Sequence, residues 1–320
     1  MTKSAYRNNL VLNAGVLLML FVLQFVLPDY HVLMATRMMV LAVFALGFNA
    51  LLGYIGLLSL GHAMFFAAGL YGAGLTVYHF GWSLPFAFGF AVLASAVVAL
   101  VIGAVALRTI RVSFMIVTLM FAQVAYLMVI YFAEWTNGQE GLSLPMSARA
   151  VDLFGWTLDL SSAVTRYNLA FLLLALCLVL LFAYLASARG RVATAIRDNE
   201  GRTEMLGFNV FSGKLEMFVI SGAMSGAAGA AYGLLFGYIG STFASFQYSI
   251  EALLFTLLGG AGTLIGPLLG VLLMVAMIDK LSELTSAYLL VIGVVLIVVI
   301  LWFPKGILGT VRERWAPWLL

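Results

Sequence analysis

The nine residues GGAGTLIGP, Gly259 to Pro267, interrupt an apolar region that runs from 250 to 278. Four glycines and a proline in so short a stretch do not continue a helix. Whether they form a surface loop or a break inside a membrane depends on the rest of the chain. That chain is 64% hydrophobic and 9% charged, with a mean hydropathy of +1.12. Soluble domains carry roughly 25% charged residues. The polar surface is too small to cover a water-soluble globule, so the composition predicts an all-α polytopic membrane protein.

A helix needs about 20 apolar residues to cross a bilayer. Candidate spans are 10–27, 33–52, 62–79, 83–107, 112–133, 167–187, 214–237 and 286–303, with the interrupted region 250–278 in addition. This predicts about 8–10 transmembrane helices including a broken segment, within one transmembrane domain over 1–320. The N-terminal MTKSAYRNNL could pass for the start of a signal peptide, but the apolar stretch from Leu10 to Leu27 is long and no small-residue cleavage site follows. It is read as a first transmembrane helix.

Lys and Arg are biased toward short cytoplasmic loops. With the N-terminus inside, twelve of the sixteen basic residues fall on one face, including Arg111, the segment 188–214 and the tail residues Lys305, Arg312 and Arg314. Arg149 and Arg166 fall in an outer loop, 134–166, a plain solvated loop or a docking surface. The tail returns to the inner face only if the region 250–278 both begins and ends outside. A re-entrant pair of half-helices meeting at GGAGTLIGP satisfies that requirement. Two full crossings would too, but about 28 residues are too few for them.

A second glycine-punctuated stretch, GYIGLLSLGHAMFFAAGLYGAG, starts at Gly53. Interrupted segments in corresponding halves point to a transporter's substrate path. In SGAMSGAAGAAYGLLFG, small residues at 221, 225, 229, 233 and 237 recur every four positions, which makes a smooth helix face for close packing.

The chain has no G-x-x-x-x-G-K-[ST] loop for nucleotide phosphates. His31, His62 and His79 are scattered, with no metal-ligand spacing, and the lone Cys177 reads as packing. No catalytic dyad is evident, so no enzyme activity and no resident cofactor or metal is expected. The basic residues do not form the aromatic-interleaved face of a nucleic-acid binder. Deep in the spans the polar residues are mainly Asn49, Thr118 and Gln123, fewer ionisable groups than an ion-coupled carrier normally holds.

Against this apolar background the segment RGRVATAIRDNEGRTEMLGFNVFSGK, Arg189 to Lys214, packs eight charges into 26 residues. Val192, Ala195 and Ile196 can share a helical face, Gly201 is placed to break that helix, and Gly207 can cap a second turn. Two readings are open: a solvated connector, or a short amphipathic helix that plugs a groove on a soluble partner.

This segment, continued through LEMFVISGAMSGAAGA, resembles the coupling segment of branched-chain amino acid ABC transporter permeases of the LivM type. GYIGLLSLGHAMFFAAGLY, RVSFMIVTLMFAQV, SIEALLFTLLGGAGTLIGPLLG and FPKGILG agree in the same order, from about residue 35 to 310. The resemblance implies a fold like that of vitamin B12-type (type II) importer permeases. It implies as partners a second, LivH-type permease, two cytoplasmic ATPases that hydrolyse ATP with Mg, and a periplasmic solute-binding protein. It implies a multi-pass protein of the bacterial inner membrane with both termini cytoplasmic. The substrate would be a branched-chain amino acid or a related small solute (amide, urea or aromatic acid). Ala195, Ile196, Arg197, Asp198, Asn199, Glu200 and Gly207 fall on the ATPase-coupling motif; Gly201, Arg202 and Thr203 depart from the family's apolar and alanine residues there. Ser59, Gly61, His62, Gln123, Glu251, Gly259 and Gly260 are candidates for the translocation path, with packing as the alternative role for the glycines. The rival functions are a stand-alone ion-coupled secondary transporter and a non-transporting scaffold.

Overall fold

A computed structural model describes residues 3–110, 112–145, 150–153, 156–316 and 318. Arg111 and Arg149, used in the charge assignment, lie outside the described residues. The elements follow the apolar runs closely. Helices α1 (Lys3–Leu23), α2 (Asp29–Ile55), α3 (His62–Phe80), α4 (Leu84–Ala106) and α5 (Val112–Tyr131) come first. A connecting region holds α6 (Ala133–Thr136) and the strands β1 (Leu142–Ser143), β2 (Ala150–Leu153) and β3 (Trp156–Asp159). Then come α7 (Ala163–Ala186), the charged α8 (Ala188–Asp198) and α9 (Glu200–Met205), and α10 (Val210–Phe236). The chain continues through β4 (Tyr238–Ile239), α11 (Phe246–Gly259), α12 (Gly266–Leu284), α13 (Tyr288–Trp302) and α14 (Ile307–Arg314).

Among the described residues, seven helical spans are long and apolar enough to cross a membrane, the last running through α13 and α14; α1 and α11 add shorter apolar stretches. Described residues within 134–166 include short paired strands. β1 pairs antiparallel with β4, and β2 with β3. Asn137, Gly138 and Gly141 turn the chain there with positive φ.

The inner helices are set apart by burial: 89% of the most apolar window of α2 and 83% of that of α10 is inside the protein, against 22% for α4 and 17% for α5. The outer helices expose large apolar side chains such as Phe86, Leu93, Ile116 and Leu172, as a lipid-facing surface requires. The inner pair can be central because α10 is smooth. A Cβ at Gly229 would strike the Phe66 carbonyl of α3, and one at Gly222 would strike Ala99 of α4. Ser221 and Ser225 turn toward Gly47 of α2, and Ser221 Oγ donates to the Gly47 carbonyl at 2.6 Å. Ser95 Oγ ties α4 in through the carbonyls of Phe65 (3.1 Å) and Gly222 (2.8 Å).

GGAGTLIGP is the break between α11 and α12, which pack on each other as a hairpin. At 14 residues α11 is only about 21 Å long, short of the ~30 Å hydrocarbon core. The backbone at the turn is buried, so its polar groups need partners. Asn49 of α2 supplies two: its Oδ1 accepts from the Gly262 N–H (2.8 Å), and its Nδ2 donates to the Thr263 carbonyl (2.9 Å). At the opposite end of the hairpin, Tyr30 near the start of α2 donates to Asp279 of α12 at 3.1 Å.

Asn49→Leu would orphan both backbone groups. At about 1–3 kcal/mol for each unsatisfied buried group, chemical denaturation of the purified chain in detergent should show a loss of about 2–6 kcal/mol. A loss well below 1 kcal/mol would mean that Asn49 does not hold the turn.

Candidate functional site

Helix α8 follows α7 with no linker. Ser187 caps it, its side chain accepting from the Gly190 N–H at 3.3 Å. The absence of a side chain at Gly190 admits the turn, since a Cβ there would meet the Leu185 carbonyl at 2.7 Å. The face turned to the bundle is Gly190, Ala193 and Ile196, whereas Ala195 is exposed and Val192 only half-buried. The buried face is therefore rotated by about 100° from the expected face of Val192, Ala195 and Ile196, because α8 sits against three helices, α2, α7 and α10, instead of one. The expected break at Gly201 is also displaced. The helix ends at Asn199, which is extended (φ −160°, ψ 102°) and whose side chain caps α9 by accepting from the Arg202 N–H at 2.9 Å. Gly201 lies within α9. Gly207 closes α9 as expected, with φ +86° and its N–H donating to the Glu204 carbonyl at 2.9 Å.

Asp198, Asn199, Glu200 and Gly207 are exposed. Lys214 holds Glu200 at 2.5 Å, and Arg189 holds Glu216 at 2.9 Å. Each pair has one end open to solvent, where such pairs contribute about 0–1 kcal/mol, so they orient the segment more than they anchor it. Beside Arg197, Glu200 and Lys214 opens a cleft of about 520 Å³, floored by Gly56, Leu57 and Phe114.

Arg197 is exposed too, but its guanidinium turns back onto the bundle. Its Nη1 donates to the Gly53 carbonyl of α2, close to Gly262 at the hairpin turn. From the tail, Arg312 of α14 donates to the Gly262 carbonyl at 2.7 Å. The turn at 260–265 is thus gripped by a carboxamide from α2, with one guanidinium on its own carbonyl and another, from α8, at its edge. Gly262 has φ +77°, and a Cβ there would meet Arg197 Nη1 at 2.8 Å and the Gly53 carbonyl at 2.9 Å. Gly262→Ala and Arg197→Gln therefore disturb one contact. In a double-mutant cycle on thermal unfolding, the double variant should lose at least about 0.5 kcal/mol less than the sum of the singles. Strict additivity would place Arg197 and the turn in separate units.

Of the seven path candidates, Glu251 alone is exposed and Gln123 is half-buried; the other five are buried within the chain. Ser59, Gly61 and His62 belong to a second break, 56–61, between α2 and α3. Gly61 is packed on α5, where a Cβ would meet the Thr118 carbonyl at 2.6 Å, and the Leu60 N–H donates to Thr118 Oγ1 at 3.2 Å. His62 Nε2 lies 2.7 Å from Ser221 Oγ. Since the single Ser221 hydroxyl hydrogen goes to Gly47, the ring must donate through Nε2, which fixes its tautomer. The Ala63 N–H donates to Ser249 Oγ of α11 at 2.8 Å. Gly259 and Gly260 serve close approach, to Gly266 and to Gly309 respectively. The residues that join the two breaks to the charged segment are Asn49, Arg197, Gly262 and Arg312. Asn49 carried a signal, as one of the few polar residues deep in a span; Arg312 carried none beyond its charge. Among the described residues no cluster of His, Cys, Asp and Glu suits a metal ion.

Residues 31–300 match the family described as branched-chain amino acid transport system / permease component. The chain is 28% identical over 298 residues to the high-affinity branched-chain amino acid transport system permease protein LivM of Salmonella typhimurium, covering 88% of this chain and 70% of the relative. LivM of Escherichia coli is similar to the same extent, 28% over 298 residues. No solved structure matches. With a family match over most of its length and helices that suit a multi-pass membrane protein, the chain belongs to the permease components of branched-chain amino acid transport systems.

Proposed function

We propose that the chain is one of two membrane-spanning permease subunits of an ATP-driven importer of the bacterial inner membrane. The observation that carries this is the placement of α8. It is amphipathic, it is docked on the bundle through Ala193 and Ile196, its end and the start of α9 expose Asp198, Asn199 and Glu200, and its Arg197 reaches the edge of the hairpin turn. A segment that only bridged two spans through solvent would have no such inward contact.

In this reading the segment 188–214 faces the cytoplasm, as do both termini, and α8–α9 enters a groove on an ATPase. Two ATPases bind and hydrolyse Mg-ATP; this chain holds no cofactor of its own. A LivH-type permease completes the pathway, and a periplasmic solute-binding protein delivers branched-chain amino acids or related small solutes. The assembled fold is of the vitamin B12-importer kind. Closure of the ATPases pulls α8. Arg197 passes the displacement to the end of α2 and to the turn at Gly262, and the complex shifts between outward- and inward-open populations. Gly53 and Gly262 lie in van der Waals contact distance of each other, so movement at one cannot leave the other in place.

The chain should be co-expressed with its neighbouring genes, purified, and its companions identified by mass spectrometry. Two ATPases and a second permease are expected. Reversing the exposed charges (Asp198→Lys with Glu200→Lys), or replacing Gly207 by Val, should remove the ATPases and leave the second permease bound. The Val substitution costs about 1–2 kcal/mol in the left-handed region. A chain that purifies alone and moves solute alone in liposomes would overturn the reading in favour of a secondary transporter.

A further inference from the structure

We propose that the chain binds one phospholipid of the leaflet remote from α8, with its acyl chain in the groove between α4, α7 and α10 and its phosphate on Arg166. The proposal goes beyond transport and does not depend on the importer reading.

The groove exists because two helices part over a third. α4 packs on α3 and α10, and α7 packs on α2. Between α4 and α7 a gap of about 310 Å³ remains over α10. Ala231 of α10 lies in its floor, Phe88 of α4 on one wall, and Leu169, Leu173 and Leu176 of α7 on the other; every side chain that lines it is apolar. Beside it α4 exposes Phe90 and Leu93 and α7 exposes Leu172 and Leu180, so the groove opens on the lipid-facing surface. Left empty, it would forfeit dispersion contacts along both walls. A hydrocarbon chain restores them.

Its length is that of a single leaflet. Arg166 stands one turn beyond Leu169, at the end of α7 opposite to α8. The ten residues from Arg166 to Leu176 rise about 15 Å, half of the ~30 Å hydrocarbon core. Trp82 is exposed at the same end, two residues before Leu84, which also lines the groove. Exposed tryptophans of this kind mark the headgroup level.

Arg166 decides which molecule brings the chain. Residues 166, 169, 173 and 176 share one face of α7 by their spacing. The Arg166 Nη2 donates to the Ser161 carbonyl at 3.0 Å, next to Leu160 of the lining, which holds the guanidinium at the mouth of the groove. Its Nε is buried without a hydrogen-bond partner among the described residues. The ion pairs that close to within 4.0 Å among those residues do not include Arg166. Asp159, just ahead, accepts from the Ser161 N–H at 2.8 Å instead. Ser162 does not cap α7 with its side chain, so the first-turn N–H groups also favour an anion at this level. A helix of a neighbouring subunit fills an apolar groove but sets no phosphate on Arg166. A phospholipid brings both parts in one molecule, and a guanidinium is well suited to its phosphodiester.

The test titrates the purified full-length chain in detergent with phosphatidylglycerol and counts bound lipid by native mass spectrometry. One tightly held lipid per chain is expected. Arg166→Gln removes a charged hydrogen bond and should weaken that binding about tenfold or more. Leu176→Trp fills the groove from an exposed position and should weaken it to a similar extent. Leu180→Trp, one turn further along α7 and outside the groove, should leave it unchanged. Glycerol phosphate, a phosphate without acyl chains, should not displace the lipid from the wild-type chain. A wild-type chain that holds no lipid overturns the proposal, as does binding indifferent to either Arg166→Gln or Leu176→Trp. Full displacement by glycerol phosphate would make Arg166 a plain phosphate site and overturn it too. In the complex co-expressed with the neighbouring genes, loss of the second permease on Leu176→Trp would give the groove to that subunit instead of a lipid.

Discussion

Everything in this permease turns on one carboxamide. A membrane helix satisfies its own backbone, but a helix that stops inside the bundle does not. Two segments stop in this way, 56–61 after α2 and 260–265 between α11 and α12. Asn49 meets the second with both ends of its side chain, donating to Thr263 and accepting from Gly262. That contact spans 213 residues of sequence and fixes the hairpin against α2. Around it the chain can afford the glycines that a break needs, because the partners are built into the neighbouring helix.

The same contact brings distant parts of the machine to one place. Gly53 of α2, Gly262 of the turn, Arg197 of the charged segment and Arg312 of the tail converge there. A charged hydrogen bond to a backbone carbonyl tolerates little displacement without being lost. In the proposed reading, a pull on α8 is therefore felt by α2 and by the hairpin together. The smooth stripe on α10, with Gly222 and Gly229 against α4 and α3, keeps the surrounding helices at close range so that they respond as packed bodies.

Much of the architecture was legible in the sequence. Apolar run length gave the spans, GGAGTLIGP marked the break, and basic-residue placement required the interrupted region to return to the side from which it entered. The hairpin turn lies between α11 and α12 at that stretch and meets Arg312 of α14. What escaped was long-range or depended on helical phase. Gly201 looked like the breaker because glycine is a weak helix former, yet Asn199 ends α8 because its side chain caps the next helix. His62 and Ser59 are fully buried in the single chain; His62 meets Ser221 through Nε2, a contact between distant segments that the sequence does not show. Arg197, placed on the coupling motif by the resemblance, is exposed and also bonds back to the bundle. Only the fold shows a free backbone carbonyl, at Gly53, beneath it.

The central claim is that Arg197 carries motion from the charged segment to the hairpin. The direct measurement is the ratio of solute moved to ATP hydrolysed by the complete transporter in proteoliposomes, with Arg197→Gln against the unaltered chain. The account predicts that hydrolysis stays within roughly twofold while transport falls about tenfold or more, the scale of one lost charged hydrogen bond. An unchanged ratio, whether both rates hold or both fall together, would contradict it.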